Sequence, residues 1–123
     1  MTFIEYWIAL LLLIIGCTVQ ACLGIGAGLV ILTRGNLGAT AYLKDGITVH
    51  VPAEKADVID TVGAGDTFNA GFLSKLSELD FLQKESLTKI SANAVEQALQ
   101  FGAKVAGVTV SRAGANPPWA AEL

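Results

Sequence analysis

The sequence predicts an α/β fold, and three observations carry that expectation. Residues 29–32, 39–44 and 47–51 are short runs rich in apolar and β-branched residues, separated by glycine-bearing turns. From residue 66 onward, Phe68, Phe72, Leu73 and Leu76 recur at helical intervals. A second helical region, rich in alanine and glycine, covers residues 86–110, with an interruption near Ser91.

The first element admits two readings. Residues 6–32 contain no charged side chain and are bracketed by Glu5 and Arg34. A run of that length can span a bilayer as one helix. The alternative is a helix over residues 3–21, a turn at Gly24, Gly26 and Gly28, and a buried strand over residues 29–32. The two readings exclude each other, and the glycines favour the second. No Lys or Arg precedes the apolar run, which argues against a signal peptide. Residues 1–21 are therefore set apart as an apolar N-terminal segment, a transmembrane or aberrant helix, from a domain over residues 22–123. Cys17 and Cys22 lie in apolar surroundings and suit packing better than a disulfide or zinc site. The glycines at 24, 26 and 28 precede a strand and lack the Gly-x-Gly-x-x-Gly spacing, so they do not form a dinucleotide loop.

The middle of the chain reads as a sheet. Thr33-Arg34-Gly35-Asn36-Leu37-Gly38 is a turn after the first strand. Asp45-Gly46 predicts a type I′ hairpin between the next two. His50 has no metal-ligand partner nearby in sequence, and Pro52 ends the third strand. Residues 53–59 form a polar loop. The chain's 123 residues allow one small domain, and a net charge of -3 without a basic stripe excludes nucleic acid as a partner.

The most informative stretch is Asp60-Thr61-Val62-Gly63-Ala64-Gly65-Asp66, followed by the apolar helix. Gly63, Ala64 and Gly65 leave their backbone open to a ligand. A helix beginning here offers free N–H groups and a favourable dipole to an anion. Asp66 beside such a site has two readings. It is a general base next to a phosphate, or it only caps the helix.

Residues 60–73 match Asp-Thr-x-Gly-Ala-Gly-Asp, three residues, then small, small, apolar. This resembles the C-terminal signature of the ribokinase-like PfkB carbohydrate kinases. The resemblance extends over residues 22–123 and implies the C-terminal part of a ribokinase-like three-layer α/β/α sandwich, here with an apolar N-terminal helix. It implies Asp66 as catalytic base and Gly63, Ala64 and Gly65 as the anion hole. Thr33, Gly35 and Gly38 would lie against the nucleotide phosphates and ribose. Phe101-Gly102-Ala103 matches the helix that lines the adenine pocket, although Ala103 carries no polar group. A monovalent cation, K⁺, would sit among Asp60, Val62, Thr109, Arg112 and Gly114. Pro118 stands where some relatives have a serine ligand. The closing residues 113–119 look closest to bacterial fructokinases.

The implied function is ATP-dependent phosphorylation of a sugar hydroxyl, fructose favoured, with Mg²⁺ on the nucleotide, in the cytoplasm. The family's N-terminal portion has no counterpart in this sequence. The expectation is thus a fragment inactive alone, completed by an oligomer or by the missing segment. The alternatives are a nucleotide-binding remnant without catalysis and a membrane-anchored fragment held through residues 6–32.

Overall fold

The computed structural model describes residues 18–123. Residues 18–24 are helical (α1) and run into a glycine turn. Three strands follow: β1 (Leu29–Thr33), β2 (Ala39–Leu43) and β3 (Thr48–Val51). They form an antiparallel sheet in the order β1-β2-β3, with Ile31 opposite Ala41 and Ala41 opposite Val49. Three helices complete the fold: α2 (Ala64–Glu78), α3 (Lys84–Leu87) and α4 (Ala92–Val110).

Local chemistry fixes the turns. Between β1 and β2 a single 3₁₀ turn, Gly35–Leu37, leads to Gly38 at φ +89°. A Cβ at Gly38 would lie 2.1 Å from the Val51 carbonyl oxygen, so only glycine fits there. The hairpin between β2 and β3 is not type I′. That turn needs positive φ at both central residues, and here Gly46 has it and Asp45 does not. Instead Gly46 N–H donates to the Leu43 carbonyl and Leu43 N–H to the Ile47 carbonyl, a type I turn closed by a left-handed glycine. Asp45 Oδ1 accepts from Ile47 N–H and holds the loop.

The helices begin and end on identifiable signals. The N-cap of α2 is Gly63 in the left-handed region, φ 78°, so the helix starts two residues before Asp66. It stops at a Schellman motif, with Phe81 N–H donating to Leu76 and Asp80 N–H to Ser77, Asp80 taking the positive φ of 61°. The region expected over residues 86–110 divides where Ser91 caps α4, its Oγ accepting from Ala94 N–H at 3.1 Å.

Core packing sets the position of the site. Ala39, Ala41 and Leu43 alternate inward along β2 and meet Val51, Leu99 and Val95 beneath α4. On α4 the buried face is Ala94, Val95, Ala98, Leu99, Gly102 and Val105, a helical stripe. Helix α2 contributes Phe68, Phe72 and Leu76 to the same core. The two helices cross on glycines. A Cβ at Gly71 would lie 2.9 Å from Val105 Cγ2, and one at Gly102 2.9 Å from the Phe68 carbonyl oxygen.

Because residues 29–33 are a strand, residues 6–32 are not one membrane-spanning helix. Among the described residues no helix is long and apolar enough to cross a membrane. The expected apolar helix over residues 3–21 and Cys17 lie largely outside the described residues. Cys22 is a free, half-buried thiol.

Candidate functional site

A cavity of about 680 Å³ opens between the turn after β1, the loop after β3, the start of α2 and the second half of α4. Thr33, Gly35 and Gly38 line it from the first turn, Ala64 and Gly65 from α2, and Ala103 from α4. Six residues singled out in the sequence for nucleotide or anion binding thus share one space. Its volume lies within the range of small-molecule pockets.

At one end of the cavity lies the first turn of α2, where the sequence places an anion hole. Ala64 N–H donates to the Thr61 carbonyl at 3.3 Å, whereas the N–H of Gly65 donates to no protein oxygen among the described residues and is free for a ligand. Gly63 stands just outside the lining, its α-carbon packed so tightly that a Cβ would come 2.9 Å from Ala115 Cβ. Asp66 is the third residue of α2, exposed, and without a hydrogen-bond or ion-pair partner. The capping explanation for Asp66 is therefore removed, since the cap is Gly63 and no side chain caps the helix. The carboxylate stands free in the first turn, next to the residues that line the cavity.

Of the five residues matched to a monovalent cation, Asp60, Val62 and Gly114 meet at a separate junction. Asp60 is its centre. One carboxylate oxygen accepts from Val62 N–H at 3.0 Å and the other from Gly114 N–H at 2.9 Å. These bonds, Val62 first and Gly114 next, hold the Asp60 carboxyl below its ordinary range, with desolvation acting the other way. The N–H groups of Ile59 and Asp60 both donate to the Val110 carbonyl, which fastens this lead-in to the end of α4. The Thr109 side chain does not face the junction. It is buried, and its hydroxyl donates to the Val105 carbonyl at 3.0 Å. Arg112 is engaged by Glu122 at 2.5 Å and turns its guanidinium to the C-terminal turn. Glu122 in turn is held below the usual carboxylate range by Arg112 and by Trp119 N–H.

As a donor the junction offers the Asp60 carboxylate, whose oxygens suit a hard cation, while the Thr109 and Gly114 carbonyls accept from the N–H groups of Arg112 and Asn116. Among the described residues no cluster of three or more His, Cys, Asp or Glu could hold a metal ion.

Sequence reasoning passed over the loop after β3. Residues 53–59 read only as polar, yet Glu54 and Lys55 line the cavity and are, among the described residues, the only charged side chains that do so. Two unpaired opposite charges just before the Asp60 signature were the signal available. Phe68 was also missed as a lining residue, because its helical spacing is equally that of a core position; the small residues Ala106 and Gly107, open by size to another element or a flat ligand but explained as well by core packing, line the cavity too. His50 is exposed and bonds Thr40 Oγ1 at 2.8 Å, away from the cavity lining.

Comparison with known proteins gives a consistent result. The family model of the pfkB family carbohydrate kinases matches residues 18–122. A fructokinase from Rhizobium leguminosarum bv. trifolii is 47% identical over 77 residues, covering 63% of this chain and 22% of that protein. Among solved structures, a fructokinase with bound ATP from Xylella fastidiosa superimposes with a TM-score of 0.66 at 26% identity, over 72% of this chain and 28% of that one. An E. coli protein described as a ribokinase II, in complex with ATP and Mg²⁺, gives 0.62 at 27% identity, over 78% and 27%. The fold neighbours are ribokinase-like, and the chain spans about a quarter of the length of the relatives it matches.

Proposed function

Because the chain belongs to the pfkB family of carbohydrate kinases, we propose that it carries the nucleotide and phosphoryl-transfer side of an ATP-dependent sugar kinase, acting in the cytoplasm. Its fold would be the C-terminal part of a three-layer α/β/α sandwich. The observation that supports this most directly is the convergence of Thr33, Gly35, Gly38, Ala64, Gly65 and Ala103 on one cavity, with Asp66 free beside it.

In this reading the triphosphate lies toward the first turn of α2. The free N–H of Gly65 and the helix dipole stabilise charge on the transferred group. Asp66 takes the proton from a sugar hydroxyl, whose oxygen bonds to the γ-phosphorus as the bond to the β-phosphate oxygen breaks and ADP leaves. Mg²⁺, brought on the nucleotide, neutralises phosphate charge. K⁺ would be held by Asp60 and by carbonyls of Val62, Thr109, Arg112 and Gly114, keeping the two segments in register. Fructose is the favoured acceptor, on the likeness to fructokinases.

The sugar side would come from outside the described residues, through further sequence or a second polypeptide. A second reading, nucleotide binding without turnover, is favoured by the cavity lining, which includes Thr33, Gly35, Gly38, Ala64, Gly65 and Ala103 but not Asp66. One experiment separates them. The chain is combined with the N-terminal three-quarters of that fructokinase, and ADP release is followed with fructose, Mg²⁺ and K⁺. Fructose-dependent turnover is expected to fall by about 10²–10⁴ in Asp66→Asn, with ATP binding kept. Turnover unchanged by the substitution would refute the role of Asp66. ATP binding without turnover in any combination would favour the second reading.

A further inference from the structure

Residues 112–122 are fastened into a ring by one carboxylate. Glu122 accepts from Arg112 Nη2–H at 2.5 Å, from Arg112 Nη1–H at 3.4 Å and from Trp119 N–H at 2.6 Å. Arg112 Nη1 also donates to the Pro117 carbonyl at 3.4 Å. The ring is tied to α4 as well. Lys104, the neighbour of Ala103 in the cavity wall, donates to the main-chain oxygen of Leu123.

Within the ring, residues 113–117 are exposed, so burial does not place them. Two contacts carry this loop to the start of α2. Gly114 N–H donates to Asp60 at 2.9 Å. Ala115 lies against Gly63, where a Cβ would come 2.9 Å from its own. Gly63 is the N-cap, and its carbonyl takes a bond from Thr67 N–H at 2.9 Å as α2 begins. An isolated exposed ion pair contributes little to stability. This one closes a loop that bears on Asp60 and Gly63, the residues leading into the turn, so its effect is on local geometry. We propose that Glu122 is a positioning residue: through Arg112 it holds residues 113–117 against Asp60 and Gly63, and so fixes the first turn of α2 from outside the cavity. The proposal rests on the reading that this turn takes phosphate.

The test is amide NMR of the full chain, with inorganic tripolyphosphate as the anion. In Glu122→Ala the Gly114 amide should exchange severalfold faster, and the Gly63, Ala64 and Gly65 resonances should move. Tripolyphosphate affinity should fall about two- to fivefold, the size of an exposed ion pair's contribution. Glu122→Gln keeps the shape without the charge and should fall between. Because the effect runs through Arg112, adding Arg112→Ala to Glu122→Ala should change little more. Glu78→Ala breaks another exposed ion pair, with Lys75 near the end of α2, and should leave both readouts as they are. Unchanged Gly114 exchange in Glu122→Ala, or moved amides with unchanged affinity, overturns the positioning role and leaves the phosphate reading standing. Absence of tripolyphosphate binding by the unsubstituted chain overturns both.

Discussion

Replacing Gly102 by alanine tests the geometry on which the cavity depends. The new Cβ would lie 2.9 Å from the Phe68 carbonyl oxygen and 3.1 and 3.2 Å from two atoms of the Phe68 ring. The ring could turn, but the carbonyl belongs to the backbone of α2, so the helices must separate by a few tenths of an ångström. Overpacking of this kind costs about 1–3 kcal/mol. Alanine regains roughly 1 kcal/mol in helix propensity. The net expectation is a loss of about 1 kcal/mol, or a melting temperature lower by roughly 4 °C in a domain of this size. Gly65→Ala is the control, because its Cβ would meet nothing within 4 Å and the propensity gain stands alone. Thermal unfolding followed by circular dichroism measures both variants. Since Ala103 follows Gly102 on α4 and Gly65 precedes Phe68 on α2, a wider crossing should also weaken ATP binding. A Gly102→Ala chain as stable as Gly65→Ala would refute the close helix approach and the cavity shape drawn from it.

Two further outcomes are expected. Asp60 has a folded-state pKa below its unfolded value, so its contribution to stability is complete above the unfolded pKa and is lost as pH falls through the folded one. Asp60→Asn should therefore be less stable than the unsubstituted chain at neutral pH, and urea titrations should show the gap closing below about pH 4. A gap independent of pH would mean that the carboxylate charge is not what holds Val62 and Gly114. Among the described residues Lys55 is the only cation lining the cavity, and it has no partner. Lys55→Ala should weaken ATP binding severalfold at low salt and less at high salt, as screening predicts, and calorimetry at two ionic strengths checks it. An equal effect at both would place Lys55 away from the phosphates.

The parts legible in the sequence were those with local causes. Strands β1 to β3 are fixed by short apolar runs between glycines, and the break before α4 by Ser91. The start of α2 was misplaced by two residues because Asp66 is a good cap by type, whereas Gly63 is the cap by conformation. The hairpin turn was misread for a similar reason: Asp-Gly suits type I′, but the Asx bond from Asp45 to Ile47 favours the three-residue loop. The glycine-rich anion turn could be located by its wording alone. Glu54 could not, because its place against Gly107 of α4 spans the gap between a loop and a helix and leaves no periodic trace.

The bond from Gly114 to Asp60 joins positions 54 residues apart. Helices α2, α3 and α4 all lie within the ring that this contact closes. Closing such a ring costs chain entropy that grows with the logarithm of its length, a cost offset in the folded chain by the docking of the helices that bring its ends together. Non-local contacts of this kind are late events in folding. The turn that begins α2, held by Asp60 and packed at Gly63 against Ala115, thus takes its geometry from the closed ring as a whole and not from its local sequence alone.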